Sequence, residues 1–526
     1  METSYADVGG KTTSKSIALL LVVLSLAGYK IWKRQVRRRQ EDQYAAQMGC
    51  KAPRRWAAKW PEGLDLLFKV GQHARAQTIL QFFLDVVESS GPTHEQQLLG
   101  ARGINTVEPR NIEEILSTQF EDFSLGLRPK HFAPLMGSGI FTQDGAAWRH
   151  SRALLRPQFS SNRYQNFEEM KKSVESLVDQ IPPNSIVDLQ PLFFRLTFDT
   201  TTFLLFGKTL SSLQSSDIAG KESEFAAAFN LGQDYLSHRG RLGDLYWLAN
   251  TPEFWRACKT SHRFVDDAIQ DALDNADKPK LEKAEDEDKK HYVFIDALIQ
   301  ETRNKKELRD QCLNVLLAGR DTTACCLSWT LRLLARHPQV LEKLRTEIDE
   351  VVGLGEHAPQ PTRVDLKKMR YLDLVLKEVL RLYPSVPVNS RAALKTTTLP
   401  VGGGPDGQSP ILVRKGEAVG YCVYAMHRRT DIYGEDALEF RPERWEDGTL
   451  LRDVGYGYLP FNGGPRVCLG QEFALLEAGY TVARLVQRFP FLTVPQDDPV
   501  VATGKEKQIL TLVVASGDGC RVHMRS

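Results

Sequence analysis

Apolar residues repeat with helical spacing over most of the chain, from about residue 64 to residue 383. Residues 313–334 form the longest apolar helical stretch, and residues 471–488 place their leucines and valines on one helical face. A third helix is predicted over residues 366–383, with Pro384 directly after it. The pattern therefore predicts a protein that is mainly α-helical.

Signals for short strands begin only after residue 386. The glycines within residues 402–410 predict a turn between two strands. The run Ser-Gly-Asp-Gly at 516–519 predicts a hairpin that joins residues 509–515 to residues 520–524. Because strands and helices do not alternate and no phosphate-binding glycine motif occurs, these strands predict a small β-rich lobe rather than a nucleotide-binding sheet.

The N-terminus carries one stretch that suits a membrane. Residues 17–32 are almost wholly apolar, and five basic residues follow within 33–39. This order predicts a retained single span with the rest of the chain in the cytosol. The shortness of the stretch and the small residues at 25–27 leave a cleaved signal peptide as the alternative. We expect an anchor over residues 1–40, a basic, proline-containing linker over 41–63 and one large domain over 64–526.

Composition narrows the classes of function. The 526 residues carry a formal net charge of +2 and a hydrophobic fraction of 42%. This fits a large folded domain and gives no reason to expect nucleic acid as the main partner. The eight cysteines include no C-x-x-C pair, so neither a zinc ribbon nor a thioredoxin-like site is expected. Their scatter fits a reducing compartment rather than a disulfide scaffold.

Cys468 stands at the end of a tight loop, just before a predicted helix. Gly463, Gly464 and Pro465 precede it, and helical periodicity starts at Gln471. At a helix N-terminus the macrodipole and the unpaired N–H groups favour thiolate over thiol. A thiolate of this kind can bind a metal, whereas an isolated cysteine is more often a small buried hydrophobe. The loop by itself leaves both interpretations open.

The residues around this cysteine favour the metal. Residues 461–470 read Phe-Asn-Gly-Gly-Pro-Arg-Val-Cys-Leu-Gly, and this pattern, F-x-x-G-x-R-x-C-x-G, resembles the haem-binding signature of the cytochrome P-450 family. The resemblance implies that Cys468 is the axial ligand of a haem b iron and that Arg466 pairs with a haem propionate. It also implies the family fold, with haem buried between the central long helix and the helix after the cysteine.

A polar island, Gly-Arg-Asp-Thr-Thr at 319–323, interrupts the apolar helix. Burying such groups without partners costs about 1–3 kcal/mol each, so their presence needs a reason. One reason is a helix break at Gly319 or a helix restart capped by an Asp or Thr side chain. The other is a relay in which an acid and an alcohol pass protons into a dry pocket. Residues 318–323 resemble the family's oxygen-activation segment, which implies that Asp321 supplies protons and Thr322 hydrogen-bonds the iron-bound oxygen.

Glu378 and Arg381 lie three residues apart on a predicted helix, so their side chains meet. Alone, such a pair contributes little. With Arg444 in the segment Phe-Arg-Pro-Glu-Arg-Trp, the pair resembles the family's structural triad, which locks the loop beneath the haem. We expect these three residues to be structural rather than catalytic.

Trp148 and Arg152 lie four residues apart, again on one helical face. They fit a surface cation–π pair. They also resemble the family's W-x-x-x-R pair, which implies that both face the haem propionates, where a guanidinium pairs well with a carboxylate. Arg391 is a further candidate propionate partner.

The resemblance runs from about residue 50 to the C-terminus and implies a membrane-bound monooxygenase. Such an enzyme inserts one atom of O2 into a hydrophobic substrate and releases the other as water. Electrons would come from NADPH through a membrane-bound flavin reductase. The implied location is the endoplasmic reticulum membrane, with the catalytic domain over 64–526 in the cytosol.

Several stretches further resemble the fungal branch that hydroxylates alkanes and fatty acids. They are residues 233–236, 239–242, 317–324, 402–410 and 461–466. The expected product carries its hydroxyl at or near the terminal methyl group. Because that C–H bond is stronger than an internal one, the pocket must be narrow, and its expected walls are residues 135–141, 315–322 and 386–389.

Three alternatives remain open at this point. A monooxygenase of fungal secondary metabolism would share all these motifs. A haem-thiolate isomerase or dehydratase would turn over without NADPH and would have little use for Asp321 and Thr322. A non-enzymatic haem sensor would need no large substrate pocket.

Overall fold

The computed structural model describes residues 9–56, 59–98, 101–159, 167–207, 221–277, 293–499 and 501–525. The α-helices are α1 Gly9–Gln47, α2 Leu64–Arg75, α3 Ile79–Ser90, α4 Pro109–Glu113, α5 Arg128–Met136, α6 Gly145–Leu155, α7 Phe167–Val178, α8 Leu189–Phe206, α9 Lys221–Leu242, α10 Pro252–Ala276, α11 Phe294–Glu301, α12 Lys305–Arg336, α13 Pro338–Val352, α14 Arg363–Lys368, α15 Arg370–Leu382, α16 Val423–Met426, α17 Thr430–Tyr433, α18 Thr449–Val454 and α19 Gln471–Arg488. The strands are β1 Arg54–Arg55, β2 Thr93–Leu98, β3 Ala101–Thr106, β4 Phe123–Ser124, β5 Ser185–Asp188, β6 Val388–Ala393, β7 Thr397–Gly403, β8 Ser409–Val413, β9 Ala418–Cys422, β10 Phe491–Thr493, β11 Gln508–Leu510, β12 Val514–Ser516 and β13 Arg521–Arg525. The predicted mainly α fold with small β elements is confirmed.

Helix α12 runs through the hydrophobic core. Nearly all of its side chains from Leu308 to Ala335 are buried, and its apolar residues belong to two large core clusters. It starts at Asn304, whose side-chain oxygen accepts the backbone N–H groups of Lys306 and Glu307 at 3.1 and 3.3 Å. With this N-cap, α12 begins at Lys305, eight residues before the predicted start at 313. The apolar pattern did not include the first turns because they contain charged residues.

The helix α12 continues through Gly319 without a break, so neither a helix break nor a helix restart explains the polar island. The hydroxyl of Thr322 donates to the carbonyl of Ala318 at 2.6 Å, and Thr197 of α8 donates to the carbonyl of Arg320 at 2.7 Å. Side-chain hydroxyls thus satisfy carbonyls along the polar island, and the helix does not need to open.

The helix after the cysteine is confirmed at its predicted limits, 471–488. The helix predicted over residues 366–383 is instead divided at Met369 into α14 and α15. A reciprocal capping box between Thr362 and Asp365 starts α14, whose sequence signal was overlooked. Because α15 retains Glu378 and Arg381 in one helix, the division leaves their pairing intact.

The largest sheet has six strands in the order β1-β2-β3-β9-β6-β4. The predicted turn within residues 402–410 is confirmed as the β7–β8 hairpin. The predicted closing hairpin is wrong, since β11 pairs with β12 through a turn at 511–513 and β13 pairs with β10 and β5. Asp188 explains the change of partner, because its Oδ1 accepts the N–H of Cys520 at 2.8 Å and holds β13 beside β5.

The N-terminal helix α1 extends to Gln47, beyond the end of the predicted anchor, and β1 within the predicted linker pairs with β2. Among the residues that the structure describes, no helix has both the length and the hydropathy needed to cross a membrane.

Candidate active site

The loop before Cys468 is closed by its own hydrogen bonds. The N–H of Cys468 donates to the carbonyl of Phe461 at 2.9 Å, and the N–H of Val467 donates to Gly464 at 3.0 Å. Gly464 has a φ of +64°, and a Cβ there would overlap the backbone carbonyl of Leu116. Glycine is therefore required at this position, where the loop lies against a neighbouring turn.

Cys468 opens onto an internal space. Its side chain is exposed, whereas five of the other cysteines are buried. Protein atoms nevertheless surround it on most sides, and this burial raises the pKa of the thiol. The N–H of Gly470 and the charge of Arg152 act in the opposite direction. The N–H of Gly470 at the start of the helix therefore favours the thiolate, as expected. The effect of burial is larger and favours the thiol. A bound metal cation would favour the thiolate again.

The opposite wall of this space is the middle of α12. Leu317, Ala318, Gly319 and Thr322 are partly exposed within an otherwise buried stretch. Leu317 and Leu469, the neighbour of Cys468, pack against the same hydrophobic cluster. The cysteine loop and the polar island of α12 therefore both border this hydrophobic cluster.

Four arginines converge beside this space. Arg466 stacks on the Trp148 ring with its guanidinium carbon 4.5 Å from the ring centroid, and Arg152 lies 5.8 Å from the same centroid. Arg391 and Arg128 both donate to the side-chain oxygen of Asn389, at 3.0 and 2.5 Å. The structure thus brings together Trp148, Arg152, Arg391 and Arg466 from α6, β6 and the cysteine loop. Arg128 is an addition that no sequence motif indicated.

The cluster carries more positive charge than its neighbours neutralise. Arg466 pairs with Asp144 at 2.8 Å. Burial and the nearby Arg391 lower the pKa of both Arg466 and Arg128 to about 10. Four guanidinium groups against one carboxylate leave a surplus of three charges, which is unfavourable in a buried place unless an anion offsets it.

These observations fit a haem with two propionates. The open thiol of Cys468 suits a metal of the macrocycle, and the uncompensated arginines suit its carboxylates. Among the described residues, no group of His, Cys, Asp or Glu side chains is arranged to hold a separate metal ion. The donor set therefore matches a cysteine-ligated haem.

Asp321 and Arg320 of the polar island are both buried, with 3.6 Å between Asp321 Oδ1 and Arg320 Nη1. Burial raises the pKa of Asp321, while Arg320 and a hydrogen bond from Gln233 partly oppose the rise. Arg320 also hydrogen-bonds Asn230 of α9. Gln233 belongs to a segment that resembles the fungal branch, and in the structure it contacts Asp321, the candidate proton donor.

The three predicted wall segments are each attached to α12 or its neighbours. Asn314 Oδ1 accepts the N–H of Phe141 at 3.1 Å, and Asp310 Oδ2 accepts the N–H of Ser138 at 2.8 Å. Ser385, next to the segment 386–389, donates its hydroxyl to the carbonyl of Thr322 at 2.9 Å. The segments 135–141 and 386–389 are thereby held beside the third, 315–322.

The predicted triad is formed and fully buried. Glu378 accepts two hydrogen bonds from Arg381 and one from Arg444, all at 2.8 Å. It also accepts the indole N–H of Trp445 at 2.9 Å and the backbone N–H of Arg441 at 3.0 Å. Its lone pairs are thus saturated, which makes a buried ion pair favourable.

His427 links this triad to the cysteine loop, a role that sequence analysis did not assign. Its Nδ1–H donates to the carbonyl of Arg381 at 3.0 Å, and its Nε2 accepts the N–H of Leu459 at 2.9 Å. Burial lowers the pKa of His427 to about 3. The ring is therefore neutral, as one donor and one acceptor nitrogen require.

Comparison with known proteins places these features in a family. The pattern of the family described as Cytochrome P450 matches residues 59–514. A "Cytochrome P450" of Arthroderma benhamiae is 61% identical over 511 residues, covering 97% of this chain and 99% of the relative. "Cytochrome P450 monooxygenase g430" of a Fusarium species is 42% identical, covering 96% and 90%. "Cytochrome P450 52A5" of Candida maltosa is 45% identical, covering 88% and 89%.

Replacing Glu378 by Gln tests the triad. The change leaves two buried arginines facing a neutral amide, and breaking a buried ion pair costs about 3–5 kcal/mol. We expect a drop of this size in the free energy of unfolding, measured by chemical denaturation, together with loss of bound haem. Asp373→Asn on the same helix is the control, because Asp373 makes an exposed pair with Lys377 at 2.6 Å that contributes at most about 1 kcal/mol. Equal stability of the two variants would contradict the assignment.

Replacing Gly464 by Ala tests the loop. A methyl group there meets the carbonyl of Leu116 in a left-handed backbone conformation, so the loop must shift and move Cys468. We expect the ratio of haem to protein to fall strongly in purified Gly464→Ala. Gly470→Ala in the same loop should retain haem, because its nearest neighbour would be Phe159 Cε1 at 3.7 Å. If Gly464→Ala also kept full haem content, the close approach would not matter.

Proposed function

This chain belongs to the cytochrome P-450 family of haem-thiolate monooxygenases, and we propose that it hydroxylates medium- or long-chain fatty acids or n-alkanes at or near the terminal methyl group. The observation that carries the choice of substrate is the resemblance of residues 233–236, 239–242, 317–324 and 461–466 to the fungal branch with that activity. The 45% identity to Cytochrome P450 52A5 of Candida maltosa supports the same branch.

Haem b, when bound, supplies the iron at which dioxygen is activated for insertion into a C–H bond. Cys468 would ligate this iron through its sulfur. Arg152, Arg391 and Arg466, with the indole N–H of Trp148, would bind the propionates, and we add Arg128 to this group because it shares Asn389 with Arg391. These contacts would fix the orientation of the macrocycle relative to α12.

Asp321 and Thr322 would deliver protons beside the iron. The raised pKa of Asp321 increases the fraction of the acid that holds a proton. Thr322 is partly exposed to the internal space, and its hydroxyl now donates to Ala318. If that hydroxyl turned towards the space, it would be able to accept a proton from the acid and donate its own proton into the space.

The apolar character of two predicted wall segments supports a hydrocarbon substrate. Leu317 and Val388 present partly exposed apolar surface. Apolar walls favour a hydrocarbon over a polar substrate. A narrow, rigid pocket would admit only the methyl end of such a substrate, which is the condition for terminal oxidation.

We propose that the protein resides at the endoplasmic reticulum membrane and receives electrons from an NADPH-dependent flavin reductase. Helix α1 exposes Leu19, Leu20 and Trp32 to more than half of their surface, and the basic residues of 33–39 follow them. Exposed apolar surface next to a basic cluster favours attachment to the cytosolic face. Recovery of the protein in the supernatant after alkaline washing of membranes would argue against this attachment.

Oxidation of secondary metabolites is the second candidate function. The relative named Cytochrome P450 monooxygenase g430, from a Fusarium species, is 42% identical over 96% of this chain, so monooxygenase relatives are not confined to one branch. The isomerase and dehydratase alternatives are weaker, because Asp321 and Thr322 are both present and Thr322 is partly exposed to the internal space. A requirement of turnover for NADPH separates them from a monooxygenase.

Product analysis tests the substrate. Membranes that carry the protein and its reductase would be incubated with NADPH and a panel of fatty acids and alkanes, and the hydroxyl position located by mass spectrometry. We expect terminal or near-terminal hydroxyl groups. Absence of any lipid product, alongside a thiolate-type spectrum of the reduced carbon monoxide complex, would reject the lipid substrates and retain the monooxygenase.

Replacing Thr322 by Ala tests the proton path. Without the hydroxyl, protons reach the bound oxygen less efficiently, and reduced oxygen leaves as peroxide. We expect less product per NADPH consumed and more peroxide. Thr330→Ala is the matched control, because the Thr330 hydroxyl makes the same bond to a carbonyl four residues earlier, at 2.7 Å, but lies in a fully buried part of α12. Unchanged coupling in Thr322→Ala would count against the role.

A further inference from the structure

The α5–α6 turn, residues 136–142, lies directly on α12. Gly137 has a φ of +62°, a left-handed conformation that glycine adopts at little cost. A Cβ on Gly137 would overlap the carboxyl group of Asp310, and a Cβ on Gly139 would overlap the amide group of Asn314. The two glycines therefore allow the backbone of the turn to contact two polar side chains of the helix.

Asn314 makes hydrogen bonds to both ends of this turn. Its Oδ1 accepts the N–H of Phe141 at 3.1 Å, and its Nδ2 donates to the carbonyl of Met136 at 2.9 Å. Nδ2 also donates to the carbonyl of Asp310, one helical turn earlier, at 2.6 Å. The side chain is fully buried. Because an amide carries both a donor and an acceptor, this one side chain joins the two ends of the turn to α12.

Asp310 adds a second attachment of the turn to α12. Its Oδ2 accepts the N–H of Ser138 at 2.8 Å and the ammonium group of Lys306 at 2.7 Å. Arg309 Nε lies 3.3 Å from its other oxygen. Two cations thus accompany the buried carboxylate, and a hydrogen bond to a charged acceptor is stronger than one between neutral groups. Asp310 and Asn314 together hold three backbone groups of the turn.

The same turn also contacts the cysteine loop. Arg466 donates to the carbonyls of Ile140 and Gln143, at 3.4 and 2.9 Å. The side chain of Ile140 is partly buried, and it packs against the hydrophobic cluster that Leu317 and Leu469 also border. Ile140 therefore lies in the region where the middle of α12 and the cysteine loop approach the internal space.

We propose that Asn314 and Asp310 are positioning residues, which hold the α5–α6 turn on α12 so that the side chain of Ile140 narrows the internal space. The inference rests on the proposed function, since it explains how a substrate is offered by its chain end. With the turn in place, the bulk of Ile140 excludes a chain that bends back past its methyl end. With the turn released, a chain can enter further and present internal carbons. Asn314 and Asp310 act through the turn and need no contact with the substrate.

Asn314→Ala removes the amide and releases Met136 and Phe141. In the haem-loaded protein, we expect amide hydrogen exchange within residues 136–142 to become about tenfold faster, in line with the loss of one or two net hydrogen bonds. Gln311→Ala is the matched control. Gln311 is equally buried on the same helix, but it donates to the hydroxyl of Ser151 in α6, at 2.6 Å. Exchange within the turn should therefore match the wild type in this control.

The position of the hydroxyl in the product is a readout that a purely structural role would not change. In Asn314→Ala, the ratio of terminal to internal products should fall about tenfold, the lower end of the discrimination that one hydrophobic contact provides. Ile140→Ala should give the same shift, because it removes the bulk and leaves the hydrogen bonds of the turn intact. The double variant should shift no further, as expected of two residues that act through one contact. Gln311→Ala should retain the wild-type ratio.

Binding of imidazoles to the haem iron tests the same space without a substrate. The affinities of imidazole and 1-phenylimidazole would be measured from the haem absorption spectrum. In Asn314→Ala and Ile140→Ala, but not in Gln311→Ala, we expect 1-phenylimidazole to gain about tenfold over imidazole. This gain without any lipid product would reject the lipid substrates and keep the positioning role. Wild-type exchange in Asn314→Ala would overturn the proposal. Faster exchange with either the ligand preference or the product position unchanged would overturn it as well.

Discussion

The saturated carboxylate of Glu378 is the interaction on which the cysteine loop depends. Two arginines, an indole and a backbone N–H group converge on it without access to water. Desolvating these charges is costly, and complete hydrogen bonding is what offsets the cost. Arg381 then extends the network through His427 to Leu459, two residues before the loop begins. This polar network thus adds a connection to the segment before the cysteine loop, beside the loop's own hydrogen bonds and the packing of Phe461 and Leu469.

On the other side of the site, buried charges are not balanced by their neighbours. There, Arg128, Arg152, Arg391 and Arg466 are brought together with Asp144 as their acid. The arrangement is incomplete without a dianion, whereas the Glu378 network is complete by itself. The charges of the Glu378 network are fully paired, whereas the arginine cluster retains positive charge that an anion could pair with. The contrast in charge balance supports the proposed structural role of Glu378 and the proposed cofactor-binding role of the arginines without reference to any motif.

Sequence analysis located most of the site because its residues lie in short motifs with fixed spacing. The Cys468 motif, the Glu378–Arg381 pair, the separate motif of Arg444 and the Asp321–Thr322 pair each lie within a window of ten residues, and the periodicity of residues 471–488 predicts the limits of that helix. Arg128 could not be found in this way, since it joins the arginine cluster only through contact with distant β6. The prediction of the C-terminal hairpin was wrong for a related reason. Asp188, more than three hundred residues before Cys520, accepts the N–H of Cys520 and holds β13 beside β5.

Helix α12 must satisfy two opposing requirements, and its hydroxyl groups reconcile them. As a buried core helix it needs an uninterrupted backbone, and as a wall of the site it needs acids and alcohols in apolar surroundings. Thr197 and Thr322 donate to the carbonyls of Arg320 and Ala318, so the Thr322 hydroxyl proposed for proton delivery is also hydrogen-bonded within the fold. Hydroxyl groups that bond to carbonyls weaken the regular helix locally without breaking it. A threonine hydroxyl can leave its carbonyl acceptor and bind a water molecule by a side-chain rotation alone. A threonine therefore suits the proposed delivery of protons in a packed core better than a helix break does.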